Sequence, residues 1–240
     1  MTDRRHWDVE RRRGSVGALH GLDLPDPMAP TVWVLEPTGS GLVLGSTQRH
    51  VVVDEGRLAG AGTELVRRRS GGGAVLVVPG ATTWVDVLVP RHHPAWVDDV
   101  SRSARWMGRA WVAALGSLDV AADVHVGAMA CGRWGSLVCF AGTAPGEVVA
   151  PSVSGDPGPA PVKLVGISQR RTRVGARFQC VVHRTGVQDR LVGLLGEAVP
   201  AADRVPLAAH LEVVTGVVDV DAGRLVDALV VALGAATPPG

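Results

Sequence analysis

Lysine is nearly absent from this sequence: of its 24 lysine and arginine side chains, 23 are arginine and one is Lys163. A guanidinium is a wide planar fork that stays charged, whereas an ammonium is a compact charge that fits beside one carbonyl or phosphate oxygen and responds to burial. A chain that writes almost every cation as Arg therefore marks Lys163 as a position needing the compact charge, unless it is a surface lysine retained by chance. Cysteine is scarce too. Cys131, Cys139 and Cys180 are too few and too unevenly spaced for a disulfide framework or a CxxC metal site, so no metal is expected and a reducing compartment fits. No apolar run reaches the ~18 residues of a membrane span, and the charged N-terminus lacks the apolar stretch of a signal peptide. A formal net charge of +1 gives no global bias toward nucleic acid or lipid. These absences predict a cytoplasmic protein with neither a membrane nor a nucleic-acid partner. What is present, 46% hydrophobic residues over a chain of 240, supports one large core of helices and strands rather than two small domains.

Residues 1–30 combine the run RRHWDVERRRG with Gly21, Pro25, Pro27 and Pro30. They are expected to form a poorly ordered arm with a short helix near Val16 to Leu22, ahead of a single domain spanning 31–240. TVWVLEP and LVLGSTQ flank a Pro-Thr-Gly-Ser-Gly turn and read as a β-hairpin, followed by a β-prone run at Val51 to Val53. Thr82 to Val89 alternates as a strand. His92 and His93 follow in a Pro-flanked loop and are expected to be exposed. Asp98 or Asp99 can cap a helix running to Leu115, whose Val100, Ala104, Met107, Trp111 and Leu115 make a core stripe, with Gly116 at its end. Val120 to Val126 and Ser136 to Phe140 read as strands. Helical patterns cover Val187 to Leu195, Leu207 to Thr215 and Ala222 to Leu233, with Pro200 and Pro206 as breakers.

Two stretches carry chemistry. In LVRRRSGGGAV the backbone at Gly71, Gly72 and Gly73 is bare enough for its N–H groups to approach an anion, and Arg67 and Arg68, beside Ser70, could clamp a carboxylate or phosphate. Alone, the same stretch is equally a flexible turn with solvated arginines; it matches neither a Walker loop nor a dinucleotide turn. In VKLVGISQRRTR, Lys163 opens a short, mostly buried strand in which Gly166 keeps one backbone position free of Cβ. The strand pairs with Arg177 to Val182 across a turn at Gly175. The Pro/Gly/Ser segment from Ala150 to Pro161 delivers the chain to Lys163 and is where a lid would be placed. Cys139 sits in the apolar run LVCF, where a cysteine is commonly a small buried hydrophobe.

Together, RRRSGGGAV and KLVGISQRRTR resemble the paired motifs RRxSGGGxV and K-x-x-G-x-x-Q-x-R of the lipoate-protein ligase, octanoyltransferase and biotin-protein ligase superfamily, closest to the lipoate-protein ligase A-like proteins. GLVLGSTQ is similar to the family's acyl-site strand, with Gly45 and Gln48 at matching places. The resemblance implies an α+β fold, a mixed and mainly antiparallel sheet flanked by helices. It implies that Arg67, Arg68, Ser70, Gly71, Gly72, Gly73, Gly45, Gln48, Gly166 and Gln169 bind the acyl group or its adenylate while Lys163 acts on the carbonyl. The function it implies first is ligation of lipoate or octanoate to a lysine of a carrier domain, using ATP with Mg²⁺ through an acyl-adenylate. The carriers would be E2 subunits of 2-oxoacid dehydrogenases or the glycine cleavage H protein. The chain departs from the pattern in two places. Leu76, Val77 and Val78 stand where the family usually has a His-Asp or His-Gly pair, and Ala176 occupies the cysteine position of one octanoyltransferase class. Cys139-Phe140 is similar to the Cys-Phe pair of another class, which implies a cofactor-free transfer through a Cys139 thioester as an alternative; an inactive acyl- or adenylate-binding homologue is a third.

Overall fold

The computed structural model describes residues 6–151 and 161–237. In chain order these form β1 (Asp8–Gly14), α1 (Val16–Gly21), β2 (Thr31–Pro37), β3 (Ser40–Leu44), α2 (Glu55–Gly60), β4 (Thr63–Arg67), β5 (Val75–Val77), β6 (Thr82–Pro90), α3 (Val100–Gly116), β7 (Asp123–Val124), β8 (Val148–Val149), β9 (Lys163–Arg171), β10 (Gly175–His183), α4 (Gln188–Leu195), α5 (Ala201–Val214) and α6 (Ala222–Ala235). The fold is α+β, with a seven-stranded sheet in the order β1-β2-β6-β10-β9-β8-β7. In it only β1 and β2 run parallel among the described strands. A second sheet, β4-β3-β5, has a parallel and an antiparallel pair.

Three apolar clusters separate the layers. One face of the large sheet packs on α3 and α6 through Val85, Val87, Phe178, Trp106, Trp111, Leu225 and Leu229. The small sheet presents Leu42, Leu44 and Leu76 to α4 and α5, where Leu191, Leu195, Leu207 and Leu211 meet them. Between the sheets lie Val43, Val75, Val77, Trp84 and Leu88, closed at one end by Val16 and Leu19 of α1. The capping pattern holds for α3: the Asp99 carboxylate accepts from the Arg102 N–H at 2.8 Å, and the helix buries Trp106, Met107, Trp111 and Leu115. Val100, expected on that stripe, is exposed in the first turn.

Several expectations need correcting. Asp8–Gly14 is no loose arm; it is an edge strand paired residue by residue with β2, and Trp7 before it is buried. β2 and β3 are not a hairpin, because β1 and β6 occupy the two edges of β2 while β3 joins the other sheet. Val51 to Val53 form no strand, and the apolar run around Cys139 is a 3₁₀ turn (Cys139–Ala141) rather than a strand. Pro206 lies inside α5 without ending it. The proposed lid falls largely on residues 152–160, which are outside the described residues.

Candidate active site

The two sheets leave between them a narrow cleft with a cavity volume of about 40 Å³. Apolar side chains dominate its lining: Val43 of β3, Val75 and Val77 of β5, Trp84 of β6, Val181 of β10 and Phe140. The few polar groups are Cys139, Arg68, His20, Ser168 and Gln179. A mainly apolar cleft with a few convergent polar groups is what a small acyl ligand requires.

Lys163, first residue of β9, is 2% exposed, so the lone lysine is an interior residue and not a chance surface one. An ammonium has three N–H donors, and here each has a direction. Nζ donates to the Glu147 carboxylate at 2.7 Å, to the Cys139 carbonyl oxygen at 2.6 Å, and toward Cys139 Sγ at 3.9 Å. The same Nζ lies 5.3 Å from the centre of the Phe140 ring. Burial favours the neutral amine, but the Cys139 sulfur and then the Glu147 carboxylate outweigh it, and the ammonium is held above the usual lysine range.

Backbone proximity builds the rest. A side chain on Gly166 would press on the Phe140 ring at 3.1 Å, so the bare position lets Phe140 and Cys139 lie against β9. At Gly73, a Cβ would stand 2.5 Å from the Val138 carbonyl carbon and 2.6 Å from the Cys139 nitrogen. The glycine loop and the cysteine turn are thus in backbone contact, joined by Cys139 N–H donating to the Ala74 carbonyl at 3.0 Å. Gly72 adopts φ +98°, a conformation side chains rarely take. Ser70 Oγ lies 3.2 Å from Ser168 Oγ, linking the loop to β9.

Other residues singled out in the sequence have supporting positions. Arg68 folds back and donates to the carbonyls of Gly71 and Gly73, shaping the glycine loop while lining the pocket. Arg67 donates to the carbonyls of Gln48 and Val51 instead of facing a ligand. Gln48 is buried, accepts from Gly45 N–H at 3.0 Å and donates to the carbonyls of Ser136 and Leu137, which ties the turn after β3 to the segment leading into Cys139. Gly45 has no room for a Cβ because the Gly72 carbonyl lies against it. Gln169 is carried away from the pocket: it lies on the opposite face of β9 and donates to Ser103 Oγ of α3 at 2.9 Å.

Two groups of the site were missed, Glu147 beside Lys163 and His20 in the pocket lining. Glu147 lies before β8, and nothing local in APGEVVA signals a partner for Lys163 sixteen residues later. His20 comes from the supposed arm, packs at a tilt against the Trp84 ring with centroids 4.4 Å apart and sits 3.2 Å from Gln179 Nε2. Burial, then Arg177 and Arg68, pushes the His20 imidazole down to about 3, and burial with Lys163 pushes His183 down to about 4, so both are neutral at physiological pH. The α1 end that carries His20 is held by Arg177, which donates to the carbonyls of Leu19 and Leu22 and pairs with buried Asp86.

The chain is similar in fold to a bipartite lipoate protein ligase from Thermoplasma acidophilum, studied with its E2 lipoyl domain. That match has a TM-score of 0.67 and 18% identity, over 96% of this chain and 82% of the other. A putative lipoate protein ligase from T. acidophilum with bound lipoic acid follows at 0.65 and 16%, over 96% and 84%. A lipoate-protein ligase A bound with ATP gives 0.63 and 17%, over 96% and 84%. At these identities the likeness establishes the fold. No curated protein matches the sequence. The model of the lipoyl protein ligase A/B catalytic domain matches residues 24–208, which hold the glycine loop, the cysteine turn, Glu147 and Lys163, and the chain belongs to that family.

Proposed function

We propose that the protein transfers an octanoyl or lipoyl group to a lysine of a lipoyl-carrier domain, through a thioester on Cys139. The observation that carries this reading is the meeting of Cys139 with the lone lysine: Cys139 lines the apolar cleft, its Sγ 3.9 Å from a buried, protonated Nζ. A thiolate is the reactive form of cysteine, and a fixed cation beside it favours that form.

The steps balance without a further reagent. The Cys139 thiolate attacks the carbonyl of an acyl thioester donor; a carbon–sulfur bond forms on the enzyme and the donor thiolate leaves, taking a proton from solvent. The neutral amine of the carrier lysine then attacks the enzyme thioester, the amide forms, the amine proton goes to solvent and the Cys139 thiolate is regenerated. In both steps the developing oxyanion needs a donor, and the Lys163 ammonium beside the sulfur is positioned to be one. The apolar walls exclude water that would hydrolyse the thioester. E2 subunits of 2-oxoacid dehydrogenases and the glycine cleavage H protein are the proposed carriers; the likeness to a ligase studied with an E2 lipoyl domain supports the first.

Ligation through an acyl-adenylate, the function the paired motifs imply first, is the second reading. The bare backbone at Gly71 to Gly73 favours it, since such N–H groups could hold the phosphate of ATP, with Mg²⁺ supplying charge neutralisation when bound. Against it, Arg67 and Arg68 are engaged with protein carbonyls, and Val77 and Val78 offer no polar group where the family's ligases usually have one. Intact-mass spectrometry after mixing the protein with an octanoyl thioester decides: one octanoyl group on Cys139, absent from Cys139→Ser, is expected. An unmodified Cys139 that nonetheless supports carrier acylation in the presence of ATP and lipoate would refute the thioester.

A further inference from the structure

Lys163 has a buried partner that the reaction as written does not use. Glu147 is 4% exposed. Its Oε2 accepts from Lys163 Nζ at 2.7 Å and from the Ala144 N–H at 2.7 Å, while Oε1 accepts from the Ile167 N–H at 3.2 Å. Three donors satisfy both carboxylate oxygens and fix the plane of the group. A carboxylate bonded this way opposes deprotonation of the ammonium it touches.

With Glu147 and the Cys139 carbonyl each holding one N–H of Lys163, the remaining N–H is left for Cys139 Sγ. The charges around Lys163 are Glu147 from the segment before β8, Cys139 from its turn and Arg68 from the glycine loop, with neutral His183 from β10. Lys163 and Arg68 against one carboxylate leave a net single positive charge, which accommodates one further anion: the thiolate, or the oxyanion that replaces it.

We propose that Glu147 is a positioning residue for acyl transfer: its buried carboxylate keeps Lys163 a protonated, oriented cation, so that Lys163 serves Cys139 as an electrostatic partner and hydrogen-bond donor and not as its base. This rests on the thioester reading only for its consequence in catalysis. Lys163 accordingly gains and loses no proton in either step. The carboxylate also explains why an arginine-writing chain keeps Lys here, since a guanidinium could not place single N–H groups on three acceptors around so small a volume.

The sequence provides its own probe. Lys163 is the only lysine, so tag-free protein grown with ¹³Cε-lysine gives one lysine side-chain signal, whose titration follows this ammonium directly. In the parent the signal is expected to stay at its protonated position through the ordinary lysine pKa of 10.5. In Glu147→Gln it should titrate at lower pH than in the parent, because burial is no longer opposed by the carboxylate, and Glu147→Asp should restore the parent's behaviour in part. Octanoyl transfer by Glu147→Gln should then lose activity on the alkaline side at the pH where its lysine signal moves. A parent signal that titrates below 10.5, or identical titrations in the parent, Gln and Asp variants, would overturn the proposal. Should the Gln variant not fold, the parent and Asp titrations decide. The lysine signal is read without any acyl donor, so it judges Glu147 even if the protein forms no thioester.

Discussion

Replacing Gly73 by alanine adds one carbon at the point where the glycine loop touches the cysteine turn. That carbon would lie 2.5 Å from the Val138 carbonyl carbon and 2.6 Å and 2.8 Å from the Cys139 and Val138 nitrogens, all backbone atoms that cannot rotate away. Ordinary contact begins near 3.4 Å, so the loop and the turn must separate by close to an ångström, about 0.9 Å for the nearest atom. The Gly73 backbone does not lie in the left-handed region, so alanine adds no torsional strain and the cost is that displacement. Overpacking of this kind costs roughly 1–3 kcal/mol, or a fall in Tm of about 2–12 °C for a chain of this size. The effect on catalysis should be larger in proportion. Cys139 would move relative to Lys163, and a misplacement of about 1 Å at a reacting group can lower the rate by about 100-fold. Gly71 is the control: its Cβ would meet only Thr47 Cγ2, at 4.0 Å, and Gly71→Ala should melt and transfer nearly as the parent does. Octanoyl transfer to a lipoyl domain and thermal melting would be measured on both variants. Equal transfer rates for Gly73→Ala and Gly71→Ala would refute the claim that backbone contact at Gly73 sets the position of Cys139.

Lys163→Arg keeps the charge but not the shape that fits the 2.6 Å and 2.7 Å contacts; transfer should fall by at least about 100-fold, and a rate near that of the parent would remove the need for a compact cation. Gln169→Leu alters a residue facing α3, so transfer should stay within a few-fold of the parent while the lost bond to Ser103 lowers Tm; a collapse of transfer in a normally folded variant would return Gln169 to the pocket. Acid should destabilise the fold through its buried imidazoles. The unfolded chain protonates histidine below its ordinary 6.5 while folded His183 stays neutral to about 4, so stability falls as pH drops through that window, by about 2 kcal/mol for His183 between pH 7 and 5. His20 acts in the same direction, whereas Asp86, raised by burial to about 6 against the pull of Arg177, acts in the opposite one. His183→Gln should therefore lose less stability than the parent over this range, and parallel pH curves would contradict the assignment.

Much of the outer framework was legible because its signals are local. The β9–β10 hairpin follows from two β-prone runs around one turn, α3 announces itself by an aspartate cap and apolar spacing, and α6 by its helical pattern. The failures are long-range. β1 exposes most of its residues, so no apolar alternation marks it; its strand character comes from pairing along β2, which also takes from β2 the edge that a β2–β3 hairpin would have used. The run before Phe140 has strand-like residues, yet the backbone there bonds only briefly to Ala74 and turns, and that turn is what points Cys139 at Lys163. The motifs named the glycine loop, the lysine and the cysteine. They could not separate Gln169 from the pocket, which depends on strand parity, nor supply Glu147 and His20, whose partners are distant in sequence.

The central claim is that Cys139, held beside the Lys163 cation, carries the acyl group. Its most direct test gives a lipoyl-carrier domain and the parent protein either octanoyl thioester without ATP or lipoate with ATP and Mg²⁺, and repeats both with Cys139→Ser. The geometry predicts octanoylated carrier without ATP, lost in the serine variant, with the thioester visible on Cys139 when the carrier is withheld. Carrier modification that requires ATP and survives the serine substitution would contradict it and assign the pocket to an acyl-adenylate.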